Sequence, residues 1–255
     1  FFSAGRHSRP TDMEGKNGFT SFEGFGPGVE APGFKPLTND SKDKFGLRTV
    51  SVNSFDQNPP YILKLATNYT AGSQCLVASS SSDSTVKLHA LDTNNGSLGY
   101  ISELKGHQKA ISGMGFIPGH EKLVYTASED GTVVVWDTSS AKIARSFSAP
   151  NRKPFYSATC NQKALAAGTG SDIYLWDLES GKPFRSLEEY HTEEVTDLKF
   201  HPNHPNMLFS SGGDGMISQF DLSQMDEDEV LEGCINSSQP INSFDFFGPK
   251  LQYIQ

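Results

Sequence analysis

An all-β fold, made by stacking a recurring four-stranded antiparallel unit, is predicted for this 255-residue chain by three observations. The first is a hairpin: YTASEDGTVVVWD (125–137) reads as a strand, a tight Glu129-Asp130-Gly131 turn, and a second strand from Thr132 to Trp136 closed by Asp137. The second is its recurrence. LVASSSSDSTVKLHA (76–90) lines up with LVYTASEDGTVVVWD (123–137) without a gap, and ALAAGTGSDIYLWD (164–177) and MLFSSGGDGMISQFD (207–221) come after them. Their closing positions 89, 136, 176 and 220 lie 47, 40 and 44 residues apart. The third is that the residues between hairpins show short stretches with apolar side chains at alternate positions. A period of this length containing only short strands fits a four-stranded propeller blade better than a helical repeat.

Taken in order, the first unit spans about 59–105 and holds the hairpin at 76–90. The second, 106–148, adds KAISGMGF (109–116) as its inner strand and KIARSF (142–147) as its outer one. The third, 149–189, ends in PFRSLEEY (183–190), again an outer strand. In the fourth, 190–237, EVTDLKF (194–200) precedes the hairpin. PINSFDF (240–246) then reads as the inner strand of a fifth, partial unit over 238–255. A lone hairpin is marginal in water, so such units are stable only when stacked. Residues 1–58 carry no sustained periodicity; rich in Gly, Pro and polar residues, they are expected to be disordered or loosely attached, with Met13 a plausible true start. Phe19, Phe22 and Phe25 read as residues of a flexible tail or, alternatively, as a short docking motif or an apolar helix face, and the GPGVEA match at 26–31 follows no strand and contains Pro.

With Gly106-His107 ahead of the second hairpin and Trp136-Asp137 closing it, the chain resembles the WD-repeat (WD40) family of β-propellers. The resemblance covers about residues 59–255. The segments PPYILKLATNYTAGSQCLVASSSSDSTVKLHALD, HTEEVTDLKFHPNHPNMLFSSGGDGMISQFDLS and QMDEDEVLEGCINSS make it most similar to the WD repeat-containing protein 89 type. It implies a propeller of seven blades when complete, of which this chain would be a fragment with about four blades plus the start of a fifth. It also implies a buried hydrogen-bonded tetrad, placed by position at His107, Ser128, Asp130 and Trp136. Partial sets remain elsewhere: Ser81 and Asp83 with His89 in the first unit, Trp176 with Gly168 and Gly170 in the third, and His191 and Asp214 with Gly212 and Phe220 in the fourth.

A formal charge of −9 and the lack of any basic stripe argue against direct nucleic-acid binding. Three widely spaced cysteines, Cys75, Cys160 and Cys234, fit a reducing compartment, hence cytoplasm or nucleus. No apolar run approaches the length of a membrane span. HPNHPN (201–206) has no Cys or carboxylate partner at a metal-binding interval and reads as a proline-stiffened loop. His107, Ser128 and Asp130 superficially offer a nucleophilic triad, but a hydroxyl inside a blade has neither an exposed elbow nor an oxyanion hole. No catalytic residue, cofactor or small-molecule substrate is therefore expected. The expected role is a non-catalytic protein–protein interaction scaffold within a multiprotein complex. By family analogy, Lys109, Glu129, Thr192, Glu193 and Glu194 are the candidate partner-binding positions. The acidic run 226–229 reads first as a solvated loop and, as the alternative, as an attraction for partners with basic segments. The alternative is a substrate receptor of a cullin-type ubiquitin ligase, where such family members often carry Arg two positions past the WD dipeptide; here those positions hold Ser139, Glu179 and Ser223.

Overall fold

The computed structural model describes residues 60–68, 74–248 and 253–255; the tail expected over residues 1–58 lies outside them. Four four-stranded antiparallel sheets succeed one another along the chain, each with its strands in sequence order. Blade one contains β1 (Ile62–Asn68), β2 (Gln74–Ser81), β3 (Thr85–Asp92) and β4 (Leu98–Lys105). Blade two contains β5 (Ile111–Ile117), β6 (His120–Ser128), β7 (Thr132–Asp137) and β8 (Lys142–Ser148). Blade three has β9 (Ser157–Cys160), β10 (Ala164–Gly168), β11 (Ile173–Asp177) and β12 (Pro183–Leu187). Blade four has β13 (Val195–His201), β14 (His204–Gly212), β15 (Met216–Asp221) and β16 (Leu231–Asn236), with one helical turn, α1 (Glu227–Val230), in its last connection.

Stacking explains why β7 and β11 are almost continuously apolar rather than alternating: both of their faces are buried. Val133 and Val135 pack with Phe147, Phe155, Leu165 and Trp176 between blades two and three. The opposite face of β7 sends Val134 and Trp136 against Ala78, Leu88 and Leu104 of blade one. In the same way Ile173 and Leu175 meet Val195, Leu198, Leu208 and Phe220 of blade four. The array is open, and its outer faces are correspondingly exposed or polar: Leu65 of β1 and Ile235 of β16 are solvent-exposed.

Hydrogen bonds repeat the same blade-to-blade relation at the inner strands. Ser112 Oγ donates to the carbonyl of Phe155 (2.6 Å), Ser157 Oγ to that of Val195 (2.7 Å), and Thr196 Oγ1 to that of Ile241. Each hydroxyl stitches its blade to the next, and each is invisible as a signal in one sequence because Ser and Thr are common on strands.

Two strands are shorter than the sequence suggests. PFRSLEEY stays in the sheet only as far as Leu187, because Glu189 adopts φ 63° and turns the chain away. In PINSFDF only Phe246 joins a ladder: β17 (Phe246–Phe247) pairs with β18 (Tyr253–Ile254). A ladder needs a second strand alongside, and those two residues supply it; Ser243 and Phe244 are held instead by the Asp197 carboxylate.

The Asp that closes each hairpin has a local task. Asp92, Asp137, Asp177 and Asp221 each accept a backbone N–H two or three residues onward, from Asn94 (2.9 Å), Ser139 (2.8 Å), Ser180 (2.6 Å) and Ser223 (2.9 Å). These Asx turns aim each third strand into the turn that starts the fourth.

Candidate functional site

The residues that shape the loop face of blade two form one chain of hydrogen bonds. Trp136 Nε1 donates to Thr126 Oγ1 (2.8 Å), Thr126 Oγ1 lies 2.7 Å from His107 Nε2, and His107 Nδ1 lies 2.9 Å from Asp130 Oδ2. An ionised carboxylate can only accept, so Nδ1 carries the proton in the last of these; in the neutral imidazole Nε2 is then the acceptor and takes the Thr126 hydroxyl. Asp130 also accepts from the N–H of Gln108 (3.0 Å), the N–H of Thr132 (2.9 Å) and the Thr132 hydroxyl (2.6 Å). Burial works against ionisation of Asp130, yet the bonds from Thr132, Gln108 and His107 together hold its carboxyl below the usual range.

The hydroxyl of this tetrad is therefore Thr126 and not Ser128. Ser128 Oγ donates to the carbonyl of Lys109 (3.1 Å) and accepts from the N–H of Asp130 (3.1 Å), so it braces the turn. Strand register decides between them. Trp136 lies opposite Val124 and Thr126 opposite Val134, so the indole reaches diagonally to Thr126. Ser128 sits two residues, about 7 Å, further along the same face. Ser128 is also buried away from the His107 ring bonds, which removes the geometry of a nucleophilic triad. Thr126→Val is expected to destabilise the chain by about 2 kcal/mol, because it strands the indole N–H and the imidazole, and Ser128→Ala by only about 1 kcal/mol. Urea unfolding of the two variants checks the order, and the reverse order would return the tetrad to Ser128.

The equivalent position in the other blades shifts as well, by two residues to Ser79 and Ser210 in blades one and four and by one, from Gly168 to Ala167, in blade three. Blade four is more complete than its sequence suggests: His191 Nδ1 lies 3.1 Å from both oxygens of Asp214 and Nε2 lies 2.6 Å from Ser210 Oγ. Gly212, which reads in the sequence as a missing Ser, leaves space for this pair, since a Cβ there would come within 2.6 Å of Asp214 Oδ1 and His191 Nδ1. Phe220 fills the place of the Trp. In blade one Asp83 Oδ1 accepts from the hydroxyls of Ser81 (2.9 Å) and Thr85 (2.8 Å), and His89 is buried at the Trp position. Blade three has Ala167 where the hydroxyl would be, and Trp176 packs on the rings of Phe147 and Phe155. Its turn carboxylate, Asp172, pairs with Lys153 Nζ across 2.6 Å; that bond raises the ammonium of Lys153 above its ordinary value.

These pairs lock turns and loops together at one end of the blades. The N–H of Glu129 bonds to the carbonyl of Ala110, that of Gly213 to Glu194, and that of Thr192 to the Asp214 carboxylate. Gly131, at φ 80°, lies so close to Arg152 that a Cβ would meet its carbonyl oxygen at 2.6 Å. Lys109 and Glu129 thus sit together on blade two, Lys109 exposed and Glu129 half-buried. Thr192, Glu193 and Glu194 are exposed together on blade four, continuing from exposed Glu188 and Glu189. Elsewhere, His201 is buried and accepts the N–H of Asn203 at Nδ1 (3.1 Å), and no group of three or more His, Cys, Asp or Glu among the described residues is arranged to hold a metal. Cys75 and Cys160 are buried free thiols, Cys160 with its pKa pushed well up by that burial, and Cys234 is exposed. No helix among the described residues is long and apolar enough to cross a membrane.

The WD domain, G-beta repeat pattern matches residues 99–137 and 181–221, the spans that contain the hairpins of blades two and four. The WD repeat-containing protein 89 homolog of Dictyostelium discoideum is 32% identical over 204 residues, which cover 80% of this chain and 54% of that protein. WD repeat-containing protein GTS1 of Arabidopsis thaliana is 30% identical over 212 residues, 80% of this chain and 52% of that protein. Histone acetyltransferase type B subunit 2 of Candida glabrata is 29% identical over 117 residues, 42% of this chain and 27% of that protein. The chain spans about half the length of the first two relatives. Repeated four-stranded blades, the His–Thr–Trp–Asp chain of blade two and these similarities together place the protein in the WD-repeat family.

Proposed function

We propose that this chain is a non-catalytic scaffold whose loop face docks a basic segment of a partner protein within a multiprotein complex. WD-repeat proteins generally act as interaction scaffolds, and the finer assignment rests on one observation. The loop that carries His191 presents four exposed carboxylates, Glu188, Glu189, Glu193 and Glu194, while the neighbouring Lys153 is already paired with Asp172. The result is an unbalanced negative surface on a rigid frame, suited to steering Lys- or Arg-rich chains. A relative named as a subunit of a histone acetyltransferase is in keeping with assembly into a complex. In this role the protein works in cytoplasm or nucleus through protein partners, not through nucleic acid, membrane or a small-molecule substrate. The ubiquitin-ligase receptor is the less favoured alternative: Ser139, Glu179 and Ser223, where it needs Arg, lie in the turns capped by Asp137, Asp177 and Asp221.

The test is capture of partners by the tagged chain and by its Glu193→Lys/Glu194→Lys variant, at low and at high salt, with partners quantified by mass spectrometry. The charge-reversed variant is expected to lose at least tenfold of a salt-sensitive partner whose bound region is basic. An unchanged partner set would overturn the assignment of this face, and recovery of a cullin with its adaptor would favour the alternative.

A further inference from the structure

Each blade has an Asp-capped turn after its third strand, but the one after Asp221 leads into a different charge environment. After Asp137 and Asp177 the chain runs through Ser139, Ser140 and Ser180 to the basic residues Lys142 and Lys182. After Asp221 it runs Leu222-Ser223-Gln224-Met225 into Asp226-Glu227-Asp228-Glu229, so carboxylates stand at the third to sixth positions beyond Ser223. Ser223 is exposed and Met225 is 93% exposed, so both side chains of this connection are open to solvent. A hydroxyl followed by carboxylates is what a kinase with a Lys- and Arg-lined substrate cleft selects, by charge complementarity. Ser186, exposed and followed by Glu188 and Glu189, is instead paired within β12 with Tyr174 and cannot extend into such a cleft.

An independent observation lies across the blade boundary. Arg185 of β12 reaches the same connection, where Nη2 donates to the carbonyl of Gln224 at 2.6 Å. Its Nη1 is buried and has no hydrogen-bond partner among the described residues. A buried guanidinium nitrogen without an acceptor is costly, and an anion beside Gln224 supplies one. Ser223 now uses its hydroxyl to donate to Asp221 Oδ1 (2.7 Å). A phosphate there would remove that donor and set a dianion beside the Asp221 carboxylate, so the turn would open away from Asp221.

We propose that Ser223 is a phosphorylation site for an acidophilic serine/threonine kinase and that Arg185 receives the phosphate, tying the turn of blade four to the outer strand of blade three. In the transfer, Ser223 Oγ forms a new bond to the γ-phosphorus of ATP, the bond from that phosphorus to the β–γ bridging oxygen breaks, ADP leaves, and the hydroxyl proton passes to the kinase's base.

The full chain is incubated with casein kinase 2 as the probe kinase and magnesium-ATP, and the modified residues are mapped by mass spectrometry. Near-stoichiometric phosphate at Ser223 is expected, with a rate at least tenfold lower in Asp226→Asn/Glu227→Gln. Modification elsewhere with Ser223 untouched, or a rate indifferent to those two carboxylates, would overturn the site. The role of Arg185 is read by phosphorus NMR titration of the modified chain. The second ionisation of the phosphate, ordinarily near pH ~6, is expected below that value in the parent chain and at least ~0.5 unit higher in Arg185→Gln, with Arg185→Lys between them. Coincident titrations would overturn the phosphate–Arg185 pairing.

Discussion

Trp136→Ala is expected to be the most damaging single substitution in blade two, lowering stability by about 4–5 kcal/mol. The indole is 2% exposed and fills the space between blades one and two against Ala78, Leu88 and Leu104. Its ring edge lies so near Gly106 that a Cβ there would come within 2.9 Å of it, and the His107 ring stands edge-on at 6.2 Å. Removing it opens a cavity between blades and leaves the Thr126 hydroxyl without its donor. Trp136→Phe separates the two losses. Blade four carries Phe220 at this position while keeping its His191–Ser210 and His191–Asp214 bonds, so the phenyl ring should be accommodated at a cost of only about 1–2 kcal/mol. Denaturant unfolding of the two variants checks this, and a Phe variant as unstable as the Ala variant would show that packing against the blade is not what Trp136 contributes.

Asp130→Ala is expected to cost about 3 kcal/mol and to change the response to acid. Four donors converge on this carboxylate, from His107, Gln108 and twice from Thr132, and Ala leaves all of them without it. Because the folded carboxyl ionises below its unfolded value of about 3.9, the stability it contributes is fully present above that pH and is lost as pH falls through the folded value. Asp83, Asp172 and Asp214 are lowered in the same direction, each because hydrogen bonds or a neighbouring cation outweigh the burial that opposes ionisation. The parent chain should therefore lose stability steeply below about pH 4, and Asp130→Ala should start lower and fall less steeply. Parallel acid limbs in the two proteins would remove Asp130 from this set.

The repeated hairpins are legible in the sequence because a strand–turn–strand pattern is local: β6 and β7, β10 and β11, and β14 and β15 each need only their own residues and a short turn. His107, Asp130 and Trp136 are legible for a related reason, since their types and spacing are rare enough to stand out. Thr126 is not, because choosing between two hydroxyls two residues apart requires the register of Trp136 against β6. Gly212 looks like an absence in the sequence, since only the positions of His191 and Asp214 reveal that the space of its missing side chain is occupied.

The sequence alone thus determined the order of the four blades, their all-β character and the His107, Asp130 and Trp136 of blade two, because these arise from local patterns recurring along the chain. The tertiary structure decided what crosses between blades: the Ser112, Ser157 and Thr196 stitches, the two-sided burial of β7, and the reach of Arg185 to Gln224. Such contacts join residues some 40 positions apart, and their partners are chosen by how one twisted sheet stacks on the next.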